Sequence, residues 1–126
     1  MTRWEPTPAD LLAAARAVAD RRAGWGASWP RVTAALTRQA LEDAVRRLWT
    51  ADEADMADQT MTDQLVCLPW SRRRLEPDVA RQVRYAWSAL SQACHAHAYE
   101  LSPTTAELHR WIDQVDALVA AVERAA

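Results

Sequence analysis

The sequence predicts an all-α fold: an antiparallel bundle of four main helices plus one short helix. Three observations carry this. Apolar residues recur at three- and four-residue steps along most of the chain. Strand-like alternation is absent. Only two glycines, Gly24 and Gly26, interrupt 126 residues.

The elements follow in order. Thr7, Pro8 and Asp10 suit an N-cap, a first helical position and a positive helix end, so a first helix is expected from Pro8 to Ala23. Gly24-Trp25-Gly26 then stops it. A second helix is expected from Pro30 to Thr50, capped by Ser28 or Trp29. Leu41, Ala44, Val45 and Leu48 share one face of it, whereas Val32 and Leu36 fall on another. That two-sided first half implies contact with the first helix or with a second subunit. Glu42–Arg46 and Asp43–Arg47 are spaced as ion pairs, worth roughly 0.3–0.5 kcal/mol each.

TADEADMADQTMTD, residues 50–63, holds five acids and no base. It reads as a solvated loop entering a short helix with Met61, Leu65 and Leu68 inward, ended by Pro69. The basic turn SRRRLEPD leads to a fourth helix running to Leu101, with Val79, Val83, Ala86, Leu90, Ala93 and Leu101 toward the core. Ser102 and Pro103 restart the chain as a fifth helix. Its stripe of Leu108, Trp111, Ile112, Val115, Leu118, Val119 and Val122 is the clearest in the sequence.

Size and composition bound the function. Residues 1–126 are expected to form one helical-bundle domain with a core of its own. A net charge of -2 gives no overall attraction to nucleic acid or to an anionic membrane. All basic residues are arginine, Lys, Phe and Asn are absent, and Ile occurs once, as a GC-rich bacterial genome would dictate. Cys67 and Cys94 are too few for a disulfide framework. MTRWEPTPADLL does not read as a signal peptide, because Arg16 and Asp20 break the apolar run behind it, and no run is long enough for a membrane span. A cytoplasmic protein with reduced thiols is expected.

SQACHAHAYE, residues 91–100, concentrates the chemistry. On a regular helix Cys94 and Glu100 flank an inward His97 by roughly 60° on either side, while His95 and Tyr99 point outward beside Arg84 and Ser88. Two candidate sites result. The inward cluster Cys94, His97 and Glu100 holds three zinc-type ligands, but the facing helices offer only His109 and Asp113 at an edge. Core packing, with the histidine satisfied by Glu100 or a carbonyl, is the reading adopted, so no metal and no cofactor is expected. The outward face Arg84, Ser88, His95 and Tyr99 lacks a nucleophile–base pair, because Ser88 and His95 lie about 10 Å apart along the axis. It reads as solvated or as a partner-binding face.

Arg72, Arg73, Arg74 and Arg81 form the one candidate anion patch, with Arg84 beyond it, diluted by Glu76 and Asp78. RNA contact is one reading. Neutralisation by the acidic 52–63 stretch, within the chain or across a dimer, is the other. Seven tryptophans are many for this length. Trp87 and Trp111 edge the core stripes, whereas Trp4, Trp25, Trp29, Trp49 and Trp70 fall at helix ends or loops. There they either cover the open ends of the bundle or anchor an interface. Val32, Leu36, Trp25, Trp29 and Trp70 are the candidate interface residues. No glycine-rich phosphate loop, C-x-x-C or H-E-x-x-H occurs.

LTRQALEDAVRRLW, residues 36–49, resembles the opening core helix of HEPN domains through Arg38, Gln39, Ala40, Glu42, Ala44, Leu48 and Trp49. TDQLVCL, residues 62–68, is similar to the short helix that follows there. The resemblance covers under a third of the chain. It implies a small helical bundle that dimerises, of the kind found in toxin–antitoxin and defence systems. The arginine–histidine spacing of the ribonuclease members does not occur before His95, His97 or His109, so the resemblance is to members without nuclease residues. The expected function is a non-enzymatic, homodimeric binding or regulatory module with a protein partner. The alternatives are a small metal-dependent or acid/base enzyme using Cys94, His97 and Glu100, and an RNA-binding or ribonuclease-related protein.

Overall fold

A computed structural model describes residues 5–21, 24–72, 75–95 and 101–124. Among the described residues there are six α-helices and no strand. Four are long: α1 (Pro8–Arg21), α2 (Trp29–Asp52), α5 (Pro77–Cys94) and α6 (Thr105–Arg124). Two are short: α3 (Ala54–Ala57) and α4 (Met61–Val66). The bundle is all-α as expected, with two short helices where one was foreseen. None of the described helices is long and apolar enough to cross a membrane.

α1 begins with a reciprocal cap. The Thr7 N–H donates to Asp10 Oδ2 at 2.9 Å, and the Asp10 N–H donates to Thr7 Oγ1 at 3.1 Å. Leu11, Leu12, Ala15, Val18 and Ala19 are buried along one face. Gly24 and Gly26 then take φ of +86° and +54°, a region that disfavours other residues.

α2 is the central helix and packs against every other α-helix. Its 24 residues bury Thr33, Ala34, Thr37, Ala40, Leu41, Ala44, Val45, Leu48 and Trp49. The small residues Ala34, Ala40 and Ala44 let the neighbouring helices approach closely. α1, α5 and α6 all pack along it. Thr33 and Thr37, fully buried, turn their hydroxyls back onto Trp29 O and Thr33 O at 2.8 and 2.7 Å. Ser28 occupies the N-cap, but its side chain makes no capping bond. The ion pairs differ from the expected ones: Glu42 meets Arg38, and Asp43 meets Arg46.

The acidic stretch is not a loop. α2 extends to Asp52, and α3 packs Met56 and Ala57 against the core. Thr60 caps α4 by accepting the Asp63 N–H at 3.1 Å. The buried Gln64 Nε2 donates to Ala57 O and Gln59 O at 3.2 and 2.8 Å, holding the α3–α4 junction. Leu65 and Leu68 are buried as expected, and Met61 is half-buried. Trp49, placed by the sequence among end-covering tryptophans, is instead core, its indole N–H donating to Gln64 O at 3.1 Å.

α5 ends earlier than expected. The His95 N–H closes the last turn onto Gln92 O, and Leu101 lies outside any helix with 96% of its surface exposed. The expected core role of Leu101 is thus corrected. α6 starts at Thr105 rather than at Ser102 or Pro103, because Thr104 and Glu107 exchange capping bonds at 3.0 and 3.1 Å. Arg16 reaches Asp113 at 3.0 Å and Asp20 reaches His109 at 3.5 Å, so α1 and α6 run antiparallel.

Candidate binding cleft

α4 and α5 diverge around a cleft of about 360 Å³. Thr62, Leu65 and Val66 form one wall. Arg81, Arg84, Tyr85 and Ser88 form the other, at the i, i+3, i+4 and i+7 steps that place them on one helical face. Trp87 completes the lining. The volume falls within the range of small ligand pockets, about 300–1,000 Å³.

The floor is braced from α2. The Trp87 N–H donates to Glu42 Oε2 at 3.3 Å, and the Arg38 guanidinium stands 5.8 Å from the Trp87 ring centre. Arg38 Nε approaches Glu42 Oε2 at 3.6 Å, an ion pair too long to be a hydrogen bond. The rim is different in character. Val66 is 45% exposed and Tyr85 70% exposed, an unusual solvation of two large side chains. Arg81 is paired with Asp78. Among the described residues Arg84 makes no hydrogen bond or ion pair.

Tyr85 is also a ridge. Its far side borders a second hollow of about 420 Å³, lined with Ala89, Gln92, Leu101, Pro103 and Trp111 among others. Val66, Tyr85 and the exposed Leu101 thus form a band crossing α5. Trp70, 78% exposed, stands in the 3₁₀ turn Leu68–Trp70 that leads from one wall toward the other.

The residues singled out in the sequence are distributed as follows. Arg84 and Ser88 of the outward face and Arg81 of the anion patch meet in the cleft. His95 is exposed at the end of α5, outside the lining, and Tyr99 lies outside the described residues. Arg72 is exposed, and its backbone N–H donates to Asp52 Oδ2 at 2.8 Å, so the acidic stretch holds the basic turn through the main chain. Arg73 and Arg74 lie outside the described residues, as do His97 and Glu100 of the inward cluster. Cys94 is half-buried against the core. Among the described residues no three His, Cys, Asp or Glu side chains group as a metal site.

The five candidate interface residues do not share one surface. Trp25, Trp29, Val32 and Leu36 cluster at the start of α2, and Leu36 and Trp29 pack against the core. Trp70 adjoins Arg72, which is tied to Asp52 at the other end of α2, about 35 Å away along the axis. Thr62, Val66 and Tyr85 were not singled out in the sequence. The Arg81, Arg84, Tyr85, Ser88 row was available there as a helical face, but its facing wall was not.

The chain matches no protein-family model, no curated protein and no solved structure.

Proposed function

We propose that the chain is a non-enzymatic binding and regulatory module whose working surface is the band across α4 and α5. One observation carries the reading: Val66, Tyr85 and Leu101 are large apolar or aromatic side chains held in solvent along two adjoining hollows. Leaving such groups in water forgoes roughly 25 cal/mol per Å² of apolar surface, a cost that burial against a partner removes. The braced floor favours the same reading. Arg38, Glu42 and Trp87 hold the cleft in one shape, which reduces the ordering cost of binding.

A photo-crosslinking amino acid at position 85 of the full chain, irradiated in the producing cell, tests this. The expected result is one discrete protein adduct, lost when Arg84→Glu is added. An absence of any adduct from positions 66, 70 and 85 alike overturns the reading.

A further inference from the structure

We propose that the α4–α5 cleft is a binding site for a small monocarboxylic acid with a compact aromatic body. The inference goes beyond the band as a partner-binding surface: it assigns a free ligand to the concave part of that band, and the two are tested by separate measurements.

The lining carries it. Leu65, 3% exposed, and the half-buried Trp87 are its most buried members. Trp87 is fixed by Glu42 and Arg38, and Tyr85 divides the cleft from the second hollow. An apolar slot with two aromatic side chains in its lining favours a flat aromatic ligand, which meets them in offset or edge-on contact. Its volume of about 360 Å³ lies at the small end of the range for ligand pockets and suits a compact molecule. The polar rim is Thr62, Arg81, Arg84 and Ser88, and none of the lining residues is acidic. The cleft thus favours an anion, although the chain as a whole carries -2.

The charge balance narrows the anion. Arg81 is paired with Asp78, three residues before it on α5. Among the described residues the Arg84 guanidinium has no hydrogen bond or ion pair, and neither do the hydroxyls of Thr62, Tyr85 and Ser88. One uncompensated cation matches a monoanion. A phosphate monoester brings a charge of about -1.5 to -2 and leaves part of it unmatched. Arg84 can grip both oxygens of a carboxylate through its forked N–H groups. Ser88, one turn further along α5, adds a hydroxyl donor on the same face.

Titration of the isotope-labelled full chain with cinnamate, followed by NMR, tests the proposal. Amides of residues 62–66 and 81–88 and the Trp87 indole N–H are expected to shift, with a Kd below about 1 mM. The uncharged isostere cinnamamide should bind about tenfold more weakly or worse, because it forfeits the charge-assisted bonds. Cinnamyl phosphate should bind no tighter than cinnamate. Arg84→Gln should lower the affinity for cinnamate about tenfold and leave that for cinnamamide unchanged, a split that damage to the fold would not produce. Arg110→Gln, at an exposed arginine outside the cleft, should change neither. No shift at about 5 mM cinnamate overturns the proposal. So do shifts centred elsewhere, equal affinity for acid and amide, a tighter phosphate, or an Arg84→Gln chain that binds cinnamate as the wild type does. A position-85 protein adduct from a chain that binds no cinnamate would sink the free acid while leaving the binding module intact. Cinnamate binding with no adduct from positions 66, 70 and 85 would do the reverse.

Discussion

Glu42 Oε2 accepts the indole N–H of Trp87 at 3.3 Å, and this contact joins the lining of the cleft to the central helix. The bond spans α2 and α5 and sits beside the Arg38 guanidinium. Trp87→Phe keeps an aromatic ring but removes the donor, so it should cost about 1 kcal/mol in urea unfolding. Glu42→Leu, which removes the acceptor, should cost a similar amount or more, since it also ends the ion pair with Arg38. The two effects should be non-additive by roughly 0.5–1 kcal/mol in a double-mutant cycle. Strict additivity would show that the contact contributes nothing to stability.

The two reciprocal caps give the molecule an acid-sensitive component. The Thr7 backbone N–H, and then its hydroxyl, hold the Asp10 carboxyl below its ordinary value, and Thr104 does the same to Glu107. A carboxyl with a lowered folded-state pKa adds stability above its unfolded value, about 3.9–4.3, and loses it as pH falls through the folded value. Asp10→Ala and Glu107→Ala should therefore destabilise the chain at pH 7, with the deficit shrinking steadily below pH 4. Thr104→Ala, which removes the hydroxyl acceptor itself, should cost about 1 kcal/mol. Urea titrations at pH 7 and pH 3 check both; a deficit that stays constant between the two would exclude the carboxylate contribution.

Small side chains set the spacing around α2. Ala44 is 1% exposed, on the face that includes Leu41, Val45 and Leu48. Ala44→Leu adds three carbons with no room for them and should cost about 1–3 kcal/mol, read as a lowered denaturation midpoint. Ala35, exposed on the same helix, is the control. Ala35→Leu should change stability by no more than about 0.5 kcal/mol. Equal effects at the two sites would mean that α2 is not the packed centre of the bundle.

The long helices were legible because their stripes are periodic and their starts carry chemical punctuation. Thr7-Pro8 marks α1 as clearly in the sequence as in the structure. Thr104-x-x-Glu107 is an equally plain signal, but Ser102 and Pro103 drew the expected start two to three residues too early. The end of α5 had no such signal: His95-Ala96-His97-Ala98 contains neither Gly nor Pro, and the periodic pattern runs on through it. α3 was hidden because four residues make barely one helical turn, too short for a stripe to repeat, and the five acids in and around it read as solvent-facing. The cleft was half legible. Arg81, Arg84 and Ser88 were identified as polar surface, but the wall opposite depends on α4 lying beside α5, a non-local packing that no local pattern encodes.

Gln64 is one of the few buried polar side chains described in the chain, and its amide has a specific job. It is 1% exposed, and its nitrogen faces two carbonyls, Ala57 O and Gln59 O, which fixes the amide orientation. Its own carbonyl supports Trp49 from the backbone. Gln64→Met keeps the volume and removes both donors, leaving two carbonyls at the α3–α4 junction without them. The expected cost is about 1–3 kcal/mol. Gln64→Glu also removes both donors and buries a charge, so it should cost more at pH 7 than at pH 4, where the carboxyl is protonated and regains one donor. Hydrogen exchange localises the effect. Amides of residues 57–60 should exchange faster in Gln64→Met, while those of α6 should follow only the global change in stability. Uniform acceleration across both regions would show that Gln64 fills space in the core and does not clamp the junction.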